Sequence, residues 1–186
     1  GTTGGERWRT LLPNAAATTS SDPTHLAIDS AGDVVMAAAM VVKLAGASGT
    51  VLWRMELPSE AVAAHTDDAR DVYVALSFSV PGDVNWLSVM KLSGFTGDAL
   101  WAYDVKSPTA VVTSDLAITF DQDPIVVGWT LGDRFYPPTG WITRLDSTTG
   151  APEWGAAITE VLPERVTTAG DDVFVGTGGS NSIPPR

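Results

Sequence analysis

The chain has 186 residues, 44% hydrophobic and 18% charged, which is enough for one domain with a sizeable core and too apolar for disorder. A net charge of −11 repels nucleic-acid phosphate and anionic membrane surfaces. The absence of cysteine removes disulfides, zinc–thiolate sites and thiol catalysis. The longest apolar stretch, residues 34–42, falls short of the ~20 needed for a helical membrane span. No charged-then-apolar leader precedes Gly1, so the start reads as a processing site or the edge of a fragment.

In chain order, the first element is "TTGGERWRTLL", with Gly4 four residues before Trp8 and a strand expected at "RWRTLL". Next comes a hairpin, "HLAIDSAGDVVMAAA" (25–39), in which two apolar runs flank an Asp/Gly turn. "MVVKL" (40–44) and "VLWRMEL" (51–57) follow, joined by "AGASGT". In the latter, Trp53, Met55 and Leu57 alternate with Arg54 and Glu56, the period of a half-buried strand. The same series recurs twice more. "AVAAHTDDARDVYVALS" is followed by "LSVMKL", Gly97 and Trp101, and "LAITFDQDPIVVGWT" is followed by "WITRL", Gly150 and Trp154. A last hairpin, "RVTTAGDDVFVGT", occupies 165–177.

Gly4, Gly49, Gly97 and Gly150 each stand four residues before Trp8, Trp53, Trp101 and Trp154, and the tryptophans are 45, 48 and 53 residues apart. Lys43-Leu44, Lys91-Leu92 and Arg144-Leu145 lie ten residues ahead of their tryptophans. Two offsets conserved together define a true repeat of four short strands, which is a β-propeller blade. The units run roughly 1–12, 24–58, 61–105, 110–158 and 164–186 of a single domain. The fold class is therefore an all-β propeller segment of four-stranded antiparallel blades, about three to four in number and part of a larger propeller. The glycine permits the positive φ of a tight turn, and the turn sets the register that carries each indole to the core side. There the ring wedges against the next blade and its N–H meets a backbone carbonyl.

The pattern K/R-L-x-x-x-x-G-x-x-x-W, with "D-V-x-V" strands at 71–74 and 172–175, resembles the quinoprotein-like β-propeller repeats. That group includes the PQQ-like tryptophan-docking repeat and the SBBP-type repeat. The resemblance covers almost the whole chain and implies a propeller fold. It also implies an extracytoplasmic or secreted setting, and a range of roles from dehydrogenase to scaffold. A quinoprotein dehydrogenase of the group would bring a vicinal cysteine pair and calcium ligands from Glu, Asn and Asp. This sequence has no cysteine and offers no matching ligand set, so no cofactor is expected.

Candidate sites are few. The loop between second and third strands lengthens along the chain, from nothing in the first unit to "SVPGDVNW" and then "TLGDRFYPPTGW". Trp86, Arg134, Phe135, Tyr136 and Trp141 on these loops match the composition of binding hot spots, which makes them the expected interaction site. His25 and His65 are not spaced as a ligand pair, and no metal site is expected. Asp67-Asp68, Asp121-Gln122-Asp123 and Asp171-Asp172 read as turn residues bonded to their own backbone, with weak Ca2+ at 121–123 as the open alternative. No nucleophile elbow, phosphate-binding glycine loop or His/Asp/Ser set appears, so no catalytic residue is assigned. Asn14, Asn85 and Asn181 all lack a glycosylation sequon.

The expected function is a non-enzymatic propeller scaffold or protein-interaction module in a larger extracytoplasmic assembly. Its partner is a protein or further segments of the same propeller, not nucleic acid. The rival is a fragment of a quinoprotein-like enzyme whose catalytic residues lie in blades outside this stretch.

Overall fold

The computed structural model describes residues 4–12, 25–79, 85–107, 109–131, 138–159 and 161–178. Among the described residues, fourteen strands form three four-stranded antiparallel sheets and one two-stranded sheet. The first sheet holds β1 (His25–Ile28), β2 (Val34–Ala37), β3 (Met40–Leu44) and β4 (Val51–Glu56). The second holds β5 (Ala61–Thr66), β6 (Val72–Ser79), β7 (Asn85–Leu92) and β8 (Ala99–Ser107). The third holds β9 (Val111–Ile118), β10 (Pro124–Thr130), β11 (Thr139–Leu145) and β12 (Pro152–Ile158). A hairpin of β13 (Pro163–Ala169) and β14 (Asp172–Thr177) follows. Strands join in sequence order within each sheet, and β1, β5, β9 and β13 pack side by side as the inner row. The row is not closed into a ring. Among the described residues no helix is long and apolar enough to cross a membrane.

Each sheet is a blade, and the core lies between blades rather than within one. β6 shows why its run Val72–Leu76 is continuously apolar. Val72, Val74 and Leu76 face the first blade, while Tyr73 and Ala75 face the third. A strand sandwiched on both faces needs apolar side chains at every position, which removes the alternation seen in half-buried strands. β10 behaves alike, with Val126 on one side and Ile125 and Val127 on the other.

Two turns recur in each blade. In the third-to-fourth-strand turn, the N–H of Gly49, Gly97 or Gly150 donates to the carbonyl four residues back (Ala45, Ser93, Asp146) at 2.7–2.8 Å. Those glycines have φ of 70°, 79° and 72°, a left-handed conformation that costs a Cβ-bearing residue about 1–2 kcal/mol. A register shift then leaves one extra residue before each tryptophan, so Trp53, Trp101 and Trp154 stand opposite Lys43, Lys91 and Arg144. This recurrent bulge re-aims the strand and converts the sequence offset of ten into a direct cross-strand pair.

The segment 4–12 departs from expectation. "RWRTLL" forms no strand, because none of the described strands runs alongside to share its hydrogen bonds. It nevertheless docks on the first blade, where Trp8 and Leu12 pack against Met40, Val42 and Leu44.

Candidate functional site

The repeated charges build the joint between blades. Lys43, only 1% exposed, pairs with Asp29 of its own blade at 2.7 Å and reaches the Gly94 carbonyl of the next blade at 2.9 Å. Lys91 repeats this with Asp67 at 3.1 Å and the Ser147 carbonyl at 3.2 Å. Arg144 instead binds Asp123 and Glu153. Asp33, Asp71 and Asp123 receive the N–H of Gly46, Gly94 and Ser147, tying each blade's two turns together. Burial alone would raise the Asp29 carboxyl, but bonds from Lys43 and from the Asp33 and Ala31 amides hold it below its ordinary value. Burial pushes the Tyr73 hydroxyl up to about 12. Lys91 is likewise raised: burial opposes its charge, and bonds to Tyr73 and Asp67 outweigh that.

The indoles complete the joint. Trp53 donates to the Gly94 carbonyl at 3.1 Å and Trp101 to the Ser147 carbonyl at 3.0 Å, the same oxygens that Lys43 and Lys91 use. Trp8 donates to the Gly46 carbonyl at 2.9 Å. Each ring lies flat on the turn glycine. A Cβ on Gly49, Gly97 or Gly150 would come within 2.4–2.6 Å of Trp8, Trp53 or Trp101. Trp154 differs. It is 42% exposed against 7% for Trp53, and among the described residues no third-to-fourth-strand turn stands beside it. The expectation that the indole always arrives on the core side therefore fails at the last repeat.

A cleft of about 270 Å³ lies between the second and third blades. Its walls include Leu87, Val89, Tyr103, Val105, Val126 and Leu145. Trp141 also lines it. The ring stacks over Gly128, where a Cβ would sit 2.5 Å from it. Its indole N–H is buried and has no partner among the described residues. Lys106 Nζ lies 4.1 Å above the Trp86 ring, which stacks in turn on Phe78 at 5.8 Å, and strand alternation puts this stack on the face of the second blade turned away from the cleft, in step with Val72, Val74 and Leu76. Of the five expected binding residues, Trp141 lines the cleft, Trp86 turns to the other face of the second blade, and Arg134, Phe135 and Tyr136 lie outside the described residues. Tyr103 and Lys106 were not singled out in the sequence, since the outer strand β8 reads as an ordinary alternating strand. Chemically, an apolar slot with one buried donor that has no partner among the described residues suits an apolar side chain next to a hydrogen-bond acceptor.

His25 and His65 come together with Asp115 on the inner strands, lining a second depression. Burial lowers both imidazoles below 6.5, with Asp115 opposing the shift in each case. Among the described residues no three His, Cys, Asp or Glu side chains gather as metal ligands. At 121–123, Asp121 and Asp123 both engage Arg144, and Asp123 also accepts the Ser147 N–H.

The family described as outer membrane protein assembly factor BamB matches residues 1–160. The chain belongs to this family. Among solved structures, BamB from Moraxella catarrhalis is 18% identical with a TM-score of 0.61, and the match covers 92% of this chain and 46% of that one. The computationally designed Ika4 protein is 18% identical at TM-score 0.62, covering 94% and 92%. A quinohemoprotein alcohol dehydrogenase from Comamonas testosteroni is 15% identical at TM-score 0.52, covering 73% and 22%. These likenesses show the propeller fold, and the chain spans less than half the length of the Moraxella BamB. Comparison with curated proteins finds no match.

Proposed function

We propose that this chain is a non-enzymatic scaffold whose partner is a protein, engaged at the long-loop end of the second and third blades. The observation that carries the reading is the Trp141 indole, a buried donor in an apolar cleft with no partner among the described residues. A donor without an acceptor costs about 1–3 kcal/mol, and a turn of the Trp141 ring toward the slot on binding would let a partner's backbone carbonyl satisfy it while an adjacent apolar side chain filled the cleft. Phe135, Tyr136 and Arg134 belong to the same interaction surface in this reading. The family description, an outer-membrane assembly factor, supports an extracytoplasmic assembly as the setting, and no cofactor takes part.

Short peptides selected by display on the immobilised chain test this directly. Trp141→Phe removes the donor and keeps the ring, and should weaken the selected peptides about tenfold. Phe135→Ala with Tyr136→Ala should weaken them as well. Selected peptides that bind both variants as tightly as the parent would overturn the assignment. An absorption spectrum of the purified chain should show only the aromatic band. A bound quinone chromophore would favour the enzyme reading instead.

A further inference from the structure

In each blade the turns from first to second strand and from third to fourth strand lie at one end, opposite the segments that lead from blade to blade. At that end the second and third blades present two phenylalanines to solvent, Phe95 at 69% exposure and Phe120 at 77%. Their turns, 93–98 and 119–123, and the neighbouring turn 67–71 are described in full, within blades that have a sheet of the row on either side. The Gln122 side-chain amide ties two of these turns together, accepting the Asp68 N–H at 2.8 Å and donating to the Phe120 carbonyl at 3.0 Å. Phe120 thus stands next to Asp121 in its own turn and close to the turn of Asp68, and both aspartates are exposed. Among the described residues no cation covers the Phe120 ring, and no hydrogen bond reaches the Asp68 carboxylate.

The same end shows what such groups take. The Arg70 guanidinium lies 4.4 Å over the Phe95 ring, and that of Arg144 reaches Asp121 at 3.4 Å. A guanidinium therefore stacks on one phenyl ring here and bonds a carboxylate beside the other. We infer that the turn end of the second and third blades is a docking surface for an arginine-bearing extended segment of a protein, with one guanidinium on the Phe120 ring and bonded to the Asp68 carboxylate. Charge names the occupant. The three turns hold Asp67, Asp68, Asp71, Asp98, Asp121 and Asp123 against one cation, Arg70, in a chain of net charge −11. That surface attracts a basic segment and repels nucleic acid. Arginine is favoured over lysine because its planar fork stacks on a ring while its edge donates to a carboxylate, whereas an ammonium is a compact, strongly hydrated point charge. Phe95, on the neighbouring blade, offers the rest of the segment an apolar contact. This inference goes beyond the proposed function and shares no residue with the cleft beside Trp141.

Fluorescence anisotropy with a labelled peptide of alternating glycine and arginine tests it, against a peptide of the same length with lysine in place of arginine. The arginine peptide should bind about fivefold tighter than the lysine peptide, and added salt should weaken both. Phe120→Ser should weaken the arginine peptide about fivefold and abolish the preference over lysine, with the melting temperature unchanged because the ring is exposed. Asp68→Asn should weaken both peptides. Trp141→Phe should leave both affinities as they are, which separates this surface from the cleft. Absence of binding, equal affinity for the two peptides, or an arginine preference that survives Phe120→Ser would each overturn the inference. So would loss of binding in Trp141→Phe, which would place the peptide in the cleft instead.

Discussion

Gly94 and Lys43 show how single residues hold two blades together. A Cβ on Gly94 would fall 1.8 Å from the Arg70 carbonyl oxygen, a backbone atom that cannot swing aside. Gly94→Ala should therefore cost about 3 kcal/mol by overpacking, read as a lower urea midpoint with unchanged slope. Lys43→Met strands the buried Asp29 carboxylate and should cost about 3–5 kcal/mol, whereas adding Asp29→Asn to it should recover much of that loss. The basic residue of each repeat was legible as a fixed offset from tryptophan. Its carboxylate partner was not, because Asp29 and Lys43 are brought together only by the fold of two successive hairpins. Trp154 could not be told from Trp53 by sequence either, since the difference lies in whether a turn faces it.

At the level of strands, the joint predicts unequal effects from equal substitutions. Trp101→Phe removes the donor to Ser147 and leaves that carbonyl with Lys91 alone, at an expected cost of about 1–3 kcal/mol. Trp154→Phe has no such bond to lose and should leave the melting temperature unchanged. The inner strands set a pH dependence. Folded, the imidazoles of His25 and His65 are held below 6.5 by burial; unfolded, they take their protons near that value. The unfolded chain thus binds more protons in the window just below 6.5, and stability falls as the pH drops through it. Replacing His65 by Gln should flatten that slope in chemical denaturation measured on either side of 6.5. The grouping of these histidines with Asp115 escaped the sequence, where they sit 40 and 50 residues apart on separate strands. The strands themselves were readable, apart from "RWRTLL", because alternation and turn chemistry are local properties while a strand's hydrogen bonds need a neighbour.

Across the whole molecule, stability should grade along the row of blades. The second blade is covered on both faces, while the β13–β14 hairpin has only the third blade beside it. Amide exchange should be slowest in β6 and β7 and fastest in β13 and β14. The propeller architecture was legible because repetition multiplies a weak local signal. The cleft was not, since its lining comes from two successive blades and no single repeat encodes it. The joint also has a polarity. Trp8, Trp53, Trp101, Lys43 and Lys91 all point toward the C-terminal neighbour, and the carbonyls and glycines that receive them face back. Any blade can therefore follow any other, and excising residues 61–107 would present Trp53 and Lys43 to the turn that now receives Trp101 and Lys91. Blade number in such a chain is free to change by whole units, as links are added to or taken from a chain whose hooks all face one way.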